Sequence, residues 1–488
     1  MPSFDLVVIG SGPAGEKGAA QAAWFGKRVA LVEKAAPQLG GACTNTGTLP
    51  SKTLRETALA ITGMASRGLE EAVLSLPRPY AAQTLMHRER LVVGSERARI
   101  RRNLDRHNVD IFTGTGSFVD PHTLLVTPTG GAAPVSLTAE RFLIATGSRP
   151  HRPAWIPFDE VEIYDSDEIL EIETIPESMI VLGSGVIASE YACIFAALGT
   201  HVIVMDGRDR LLPFLDLELG DRFTAELERL GLWLRLGSAP AACAVDPQTR
   251  VCTVTTASGS SETGHAVLAA AGRSGNTQGL GLEAIGLAPD SRGNLTVNEH
   301  FQTKVPHIYA AGDVVGFPGL ASTSMEQGRV AVCHAFNFTY KLKVSPLLPY
   351  GIYTIPEMSY VGPTEEELKK AGIEFVVGRA SMSENARGEI LGAESGFLKL
   401  LIGLDKKLLG VHALGPSATE FIHIGQMALL QGSTIDLFID AVFNYPTLSE
   451  LYKYAAYDGL GALARRAKEL PTAEGSRPPS PEARGHFP

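Results

Sequence analysis

A chain of 488 residues exceeds the roughly 250 to 300 at which a single hydrophobic core stops growing, so two or three domains are expected. Lys and Arg number 43 against 53 Asp and Glu, a net charge of -10, which argues against a nucleic-acid partner; the arginine-rich run from 88 to 106 reads as one solvated helix face. The scattered cysteines Cys43, Cys193, Cys243, Cys252 and Cys333 contain no CxxC and fit neither a secreted disulfide framework nor a zinc site, no basic leader precedes the first apolar stretch, and no run of about 18 apolar residues occurs, so a cytoplasmic protein without membrane contact or metal is expected.

In chain order, residues 5 to 34, "DLVVIGSGPAGEKGAAQAAWFGKRVALVEK", read as strand, glycine turn, helix, glycine stop and a second strand ending in an acid. The segment "GGACTNTGTLPSKTL" (40–54) leads into a helix after Pro50. A charged helix near 83–107, short strands around 109–128 and the strand-to-turn "FLIATGSRP" (142–150) follow. Residues 178–207, "SMIVLGSGVIASEYACIFAALGTHVIVMDG", then repeat the first unit at a constant offset, Gly10 on Gly183, Gly12 on Gly185, Gly26 on Gly199 and Glu33 on Asp206. Next come "AAGRSGN" (270–276) and "HIYAAGDVVG" (307–316). From about 346 an α+β texture takes over, with "IYTIPEMSYVG", "GFLKLLI" and "KLLGVHALG" as strands, and the last residues, 471–488, are proline-rich and expected to be disordered.

Each repeat carries the dinucleotide-binding fingerprint in its full strand–turn–helix context. Gly10 and Gly183 allow the turn, Gly12 and Gly185 let backbone touch a pyrophosphate, and Gly15 packs helix on strand, with Ala188 in its place in the second copy. Glu33 and Asp206 are the acids that accept from ribose hydroxyls.

These pieces, in this order, resemble the pyridine nucleotide-disulfide oxidoreductase family from about residue 4 to 465. The resemblance implies an α/β fold with two Rossmann-like domains and a C-terminal α+β dimerisation domain, working as a homodimer or higher homo-oligomer: residues 1–150 and 276–345 binding FAD, 151–275 binding NAD(P), and 346–470 forming the interface. It also implies that Gly10, Gly12, Gly15, Glu33, Lys34, Gly41, Ala42, Thr48, Gly116, Thr146, Gly147, Arg273, Asp313 and Ala321 hold FAD. Gly183, Gly185, Asp206 and Arg208 would hold the nicotinamide nucleotide.

Two parts of the family's chemistry are missing together. The second cysteine of CxxxxC is Thr48, and the family's "HPTxxE", whose histidine moves thiol protons, reads Tyr445-Pro446-Thr447-Leu448-Ser449-Glu450. A thiol relay needs a thiolate and a base. Within the family, "CTxxGTxPSK", "FNYPTxxE" and "EFIHIGQ" are similar to the soluble transhydrogenase branch, which implies FAD-dependent hydride transfer between NADPH and NAD+ with no disulfide. The alternatives are a diaphorase, quinone reductase or oxidase on the same fold, and a non-catalytic flavin redox sensor.

By the same resemblance Lys52 sits beside flavin N5 and pairs with Glu190; taken alone, a lysine in a helix's first turn is a solvated charge. Cys43 is expected to be a buried small side chain. Thr48 either bonds toward the flavin or fills space, Tyr445 and Glu450 either line the site from a second subunit or merely pack, and Val186 leaves the nicotinamide pocket open. Coenzyme choice is balanced. Asp206 repels a 2′-phosphate by about 4 kcal/mol at 4 Å and an effective dielectric near 20, and Arg208 or Arg210 offsets roughly that, so use of both coenzymes is expected.

Overall fold

The computed structural model describes residues 2–62 and 78–469; the expected disordered tail lies outside the described residues. The chain divides into a first unit, Met1–Ser359 with Leu414–Thr419, and a second, Tyr360–Ala413 with the residues from Glu420 onward.

In the first unit β1 (Ser3–Ile9), α1 (Pro13–Trp24) and β2 (Val29–Glu33) form one βαβ unit, followed by α2 (Gly41–Asn45), α3 (Thr48–Thr62) and α4 (Arg78–Arg106). Strands β3 (Asp110–Thr113), β4 (Thr115–Asp120), β5 (Thr123–Thr127) and β6 (Val135–Ile144) complete a sheet in the order β3-β2-β1-β6-β5-β4, with β17 (Ile308–Ala310) beside β6. β1 runs parallel to both neighbours, Leu6 opposite Val29 and Arg141.

The apolar run of β1 is continuous because both faces are covered. Val7 and Ile9 enter one core cluster with Ala30, Val32, Phe142 and Ile144, while Leu6 and Val8 enter another with Leu31 and Leu143. α7 (Ala321–Ala335) lies across α1 at backbone distance: a Cβ on Gly18 would come within 3.5 Å of the Gly328 carbonyl, and one on Gly328 would collide with the Ala14 carbonyl.

The second copy builds a second sheet. β8 (Ile163–Asp165), β9 (Ser178–Leu182), α5 (Val186–Ala197), β10 (His201–Asp206), α6 (Leu217–Arg229), β11 (Trp233–Leu236) and β15 (Ala266–Ala269) give the strand order β11-β10-β9-β15-β8. β12 (Pro240–Val245), β13 (Cys252–Thr256) and β14 (Ser261–Gly264) make an antiparallel three-stranded sheet, and β7 (Ser148–Pro150) pairs antiparallel with β16 (Arg273–Gly275). The first sheet is mixed, β5 running antiparallel to both β6 and β4, and the second is parallel; both have the first strand of their unit between the second strand and a later one. That arrangement opens a crevice at the carboxyl ends of β1 and β6, and again of β9 and β15.

The stretch "IYTIPEMSYVG" is two strands, β18 (Tyr350–Ile352) and β19 (Met358–Val361), where the sequence reads as one. Pro356 lacks the N–H a ladder needs. In the second unit β20 (Phe375–Ser381) runs antiparallel to β21 (Phe397–Gly403), with Phe375 opposite Gly403. α12 (Leu451–Glu469) packs on β20 where Gly378 lets the Ala455 carbonyl approach. Lys399 is fully buried in this unit, and its Nζ lies 2.5 Å from Glu365. Among the described residues no helix is long and apolar enough to cross a membrane.

Candidate active site

At the first turn the Gly10 N–H donates to the Val32 carbonyl at 2.8 Å, and Gly10 has φ +99°, with the Ala145 carbonyl where a Cβ would stand. Gly12 caps α1, and the backbone of Gly41 lies so near that a Cβ there would be 2.8 Å from the Gly12 Cα. Gly15 packs on the Gly10 carbonyl. The result is a cradle lined by bare backbone at the N-terminus of a helix, where free N–H groups face an anion. Glu33 receives the Ser11 N–H and hydroxyl at 3.0 and 2.6 Å and the Ala35 N–H at 3.2 Å; the Ser11 Oγ in turn accepts from the Gly40 N–H at 3.0 Å.

Thr146 and Gly147 follow β6 into the same crevice. The Thr146 hydroxyl is buried without a protein partner, and a buried hydroxyl in that state needs one from a ligand or solvent. Asn276 Nδ2 holds the Thr146 carbonyl at 3.0 Å. Asp313 accepts from the Ser148 hydroxyl at 2.7 Å, and Arg273 holds the same serine through Nε to its hydroxyl at 2.7 Å and Nη2 to its carbonyl at 2.9 Å. Arg273 also stands 3.9 Å from Asp167, whose carboxyl is nevertheless pushed up from its ordinary value by burial. Ala321 opens α7, and Ala42 lies in α2 with its carbonyl accepting from Thr46 at 3.0 Å. Lys34 is exposed, its carbonyl taking the Thr129 hydroxyl at 2.9 Å. Gly116 is in β4, packed against Leu124 and Ile9 in the core, where a Cβ would be 3.1 Å from Leu124; its glycine is explained by packing.

The second turn repeats the backbone of the first. The Gly183 N–H donates to Met205 at 2.9 Å, its φ is +120°, a Cβ would be 2.6 Å from the Ala270 carbonyl, and Gly185 caps α5. Ala188 is fully buried, so the missing third glycine costs no fit. Asp206 ends β10, and Arg208 lies bidentate on it, Nε to Oδ1 at 3.1 Å and Nη2 to Oδ2 at 2.9 Å. Burial raises the Asp206 carboxyl, but the bonds from Arg208 outweigh it and hold the group below its ordinary value. Arg210 turns away to Asp221, at 2.7 Å.

Lys52 and Glu190 meet across 138 residues, Nζ to Oε2 at 2.6 Å. Glu190 is buried, and its other oxygen accepts the Tyr353 N–H at 2.9 Å; the Tyr353 ring lies 5.0 Å from the Lys52 ammonium. Thr48, Leu49, Lys52, Thr53, Val92 and Tyr353 help line a mainly apolar pocket of about 640 Å³. The one-face spacing of 48, 52 and 56 on α3 makes that wall. Burial pushes the Cys43 thiol up from its ordinary value, and the cysteine is free. Tyr445, in the second unit, is 73% exposed. Glu450 lies in a short 3-10 turn, and Val186 is the first residue of α5.

The family model described as pyridine nucleotide-disulphide oxidoreductase matches residues 4–328, and the model of that family's dimerisation domain matches residues 348–456. The chain belongs to the pyridine nucleotide-disulphide oxidoreductase family. Among curated relatives it is 48% identical to the soluble pyridine nucleotide transhydrogenase of Mycobacterium tuberculosis, over 95% of this chain and 98% of that protein. It is 42% identical to the protein of the same name from Chromohalobacter salexigens, over 94% and 99%. Two solved members of like fold are LpdA from Mycobacterium tuberculosis, TM-score 0.86 at 25% identity, covering 94% of this chain and 99% of that one, and the Cu(II) complex of the HOCl-induced flavoprotein disulfide reductase RclA from Escherichia coli, TM-score 0.83 at 26% identity with the same coverage.

Sequence reasoning did not single out Ser11, Ser148, Asn276 or Tyr353. Ser11 lies inside the glycine fingerprint and its contact with Glu33 was in principle legible there. The other three act through partners more than a hundred residues away, for which the local pattern carries no signal.

Proposed function

We propose that this oxidoreductase transfers hydride between NADPH and NAD+ through FAD, without a redox-active disulfide. The observation that carries the reading is that Cys43 is a free cysteine and that a threonine, Thr48, stands where a disulfide reductase of this family would have a second sulfur. With no dithiol and Tyr445 in place of the thiol base, donor and acceptor are both nicotinamides.

FAD, when bound, supplies a two-electron carrier that accepts and returns hydride. The first crevice fits it: a pyrophosphate suits the bare backbone of Gly10, Gly12 and Gly41, Glu33 receives ribose hydroxyls, and Thr146, Asp313 and Ser148 offer polar partners farther along. Lys34, Ala42 and Ala321 border it, and Arg273 positions Ser148. The second turn, Gly183 to Gly185, receives the nicotinamide nucleotide. Glu190, fixed by the N–H that Tyr353 donates to its other oxygen, holds the Lys52 ammonium in one place, which aims a positive charge at the pocket without reorganisation. The chain works in the cytoplasm as a homodimer through residues 346–470.

A steady-state assay with NADPH and a spectrally distinct NAD+ analogue tests this. The single turn left for nicotinamide nucleotides must release its first coenzyme before taking the second, so double-reciprocal lines are expected to be parallel. Lines that intersect over a wide concentration range would mean that both nucleotides bind at once. A second reading, reduction of a planar quinone, is favoured by the apolar pocket beside Lys52. Leu49→Trp would then block quinone turnover and spare hydride exchange between nicotinamides.

A further inference from the structure

Two exposed rings meet on a third inside the first unit. Phe317 is 86% exposed and Phe214 43% exposed, and both pack on Tyr350, Phe317 at 6.4 Å between ring centres and 20° from parallel, Phe214 at 5.8 Å and 49°. A single exposed apolar side chain is ordinary; two that share a ring make a patch. Tyr350, in β18, is tied at both ends: its hydroxyl donates to the Pro318 carbonyl at 3.0 Å, and its carbonyl accepts from the Ser359 hydroxyl at 2.8 Å.

The loops that carry the two outer rings both start at nucleotide turns. The Leu212 N–H donates at 2.9 Å to the carbonyl of Ser184, the residue between Gly183 and Gly185, and so hangs the Phe214 loop on the second turn. Leu212 is buried there at φ +45°, a conformation that a residue with a branched side chain keeps only where its surroundings fix it. The Phe317 loop follows Asp313, which accepts from Ser148 in the first crevice, and turns through Gly316 at φ +87° and Gly319 at φ +61°. β18 in turn leads to Tyr353, whose N–H holds Glu190 beside Lys52. The patch is thus tied, by main chain or by hydrogen bond, to both crevices and to the Lys52 pair.

We propose that Phe317 and Phe214, joined through Tyr350, form an aromatic clasp that stacks on a flat heteroaromatic ring of the nicotinamide nucleotide, Phe317 making the contact and Tyr350 positioning it. The proposal rests on the reading of the second repeat as the nicotinamide nucleotide site. Offset stacking suits either end of such a nucleotide, since adenine and nicotinamide each present a flat π face to the open side of a phenylalanine. It ignores the 2′ substituent, so the clasp holds NAD(H) and NADP(H) alike, as one site that serves both requires.

Calorimetric titration of the FAD-loaded protein with NAD+ and with NADP+ tests it independently of turnover. Phe317→Ala is expected to weaken both coenzymes by about tenfold, the scale of one base–aromatic stack, and Phe317→Leu, which keeps apolar bulk without a ring, by nearly as much. Phe317→Tyr is expected to bind as the unmodified protein does. In Phe317→Trp the added indole emission is expected to fall as NAD+ binds, and separate titrations with nicotinamide mononucleotide and with ADP-ribose identify which of the two rings takes the stack. Unchanged affinities in Phe317→Ala overturn the proposal. Full affinity in Phe317→Leu overturns it too, since the contact would then be plain apolar burial, and so does indole emission that stays constant while calorimetry shows NAD+ bound. A fall in mass of Phe317→Ala in light scattering would place the patch between chains and likewise overturn it. Failure of the unmodified protein to bind either coenzyme removes the nucleotide-site reading itself. Circular dichroism and flavin content of each variant separate these results from misfolding.

Discussion

Replacing Lys52 by methionine isolates a buried carboxylate. Glu190 would keep the Tyr353 N–H at 2.9 Å and lose the ammonium at 2.6 Å. At an effective dielectric near 20 the bare attraction at that distance is about 6 kcal/mol, and desolvation of both groups offsets much of it. Removing one partner of a fully buried pair costs roughly 3 to 5 kcal/mol. Lys52 is 25% exposed and therefore partly screened, so about 2 kcal/mol is expected here. In urea that moves the unfolding midpoint of the FAD-loaded protein down by roughly 0.7 M, for a slope near 3 kcal/mol per molar. The double variant Lys52→Met with Glu190→Gln is expected to recover most of the loss, because no unpaired charge remains. The rate of flavin bleaching by NADPH in stopped flow is expected to fall about tenfold in Lys52→Met and to stay low in the double variant, as the positive charge is still absent. Equal midpoints for the single and double variants would refute the coupling. A bleaching rate that recovers with stability would refute the electrostatic role of Lys52.

Anaerobic reductive titration is expected to end at two electrons per FAD with no thiolate-to-flavin charge-transfer band; a four-electron endpoint would require a dithiol and sink the assignment of Cys43. Burial pushes all five thiols up, Cys193 and Cys252 to about 12 and Cys243 to about 11, so alkylation of the native protein at pH 7 is expected to be slow for each and to rise only with alkali, as thiolate forms. One fast-reacting equivalent at neutral pH would contradict that; denaturant should release all five. Val442 and Tyr445 are 93% and 73% exposed in the single chain, and if residues 346–470 form the dimer interface, Val442→Asp with Tyr445→Asp is expected to shift the protein toward monomer in light scattering and to cut turnover more than tenfold. An unchanged mass would place the interface elsewhere.

The nucleotide turns were legible before any coordinates, because their requirements are local. Gly10 and Gly183 sit at positive φ with a carbonyl where a side chain would be, and Gly12 and Gly185 cap helices, so the spacing in the chain carries the geometry directly. The buried parallel strands were legible for a similar reason, since residues alternating between two cores must all be apolar. The pairing of Lys52 with Glu190 came only through resemblance, and Tyr353, which shares that carboxylate, did not come at all, because packing three distant segments together is a decision of the whole sheet arrangement. Arg208 and Arg210 look alike in sequence, two residues apart. Tertiary structure separated them: a pinned main chain turns Arg208 onto Asp206, and Arg210 is taken by Asp221 on α6. Residue types and spacing thus determined two glycine turns of nucleotide-binding form, whereas which arginine meets the acid at the end of the second unit depended on the direction each side chain takes once the backbone is fixed.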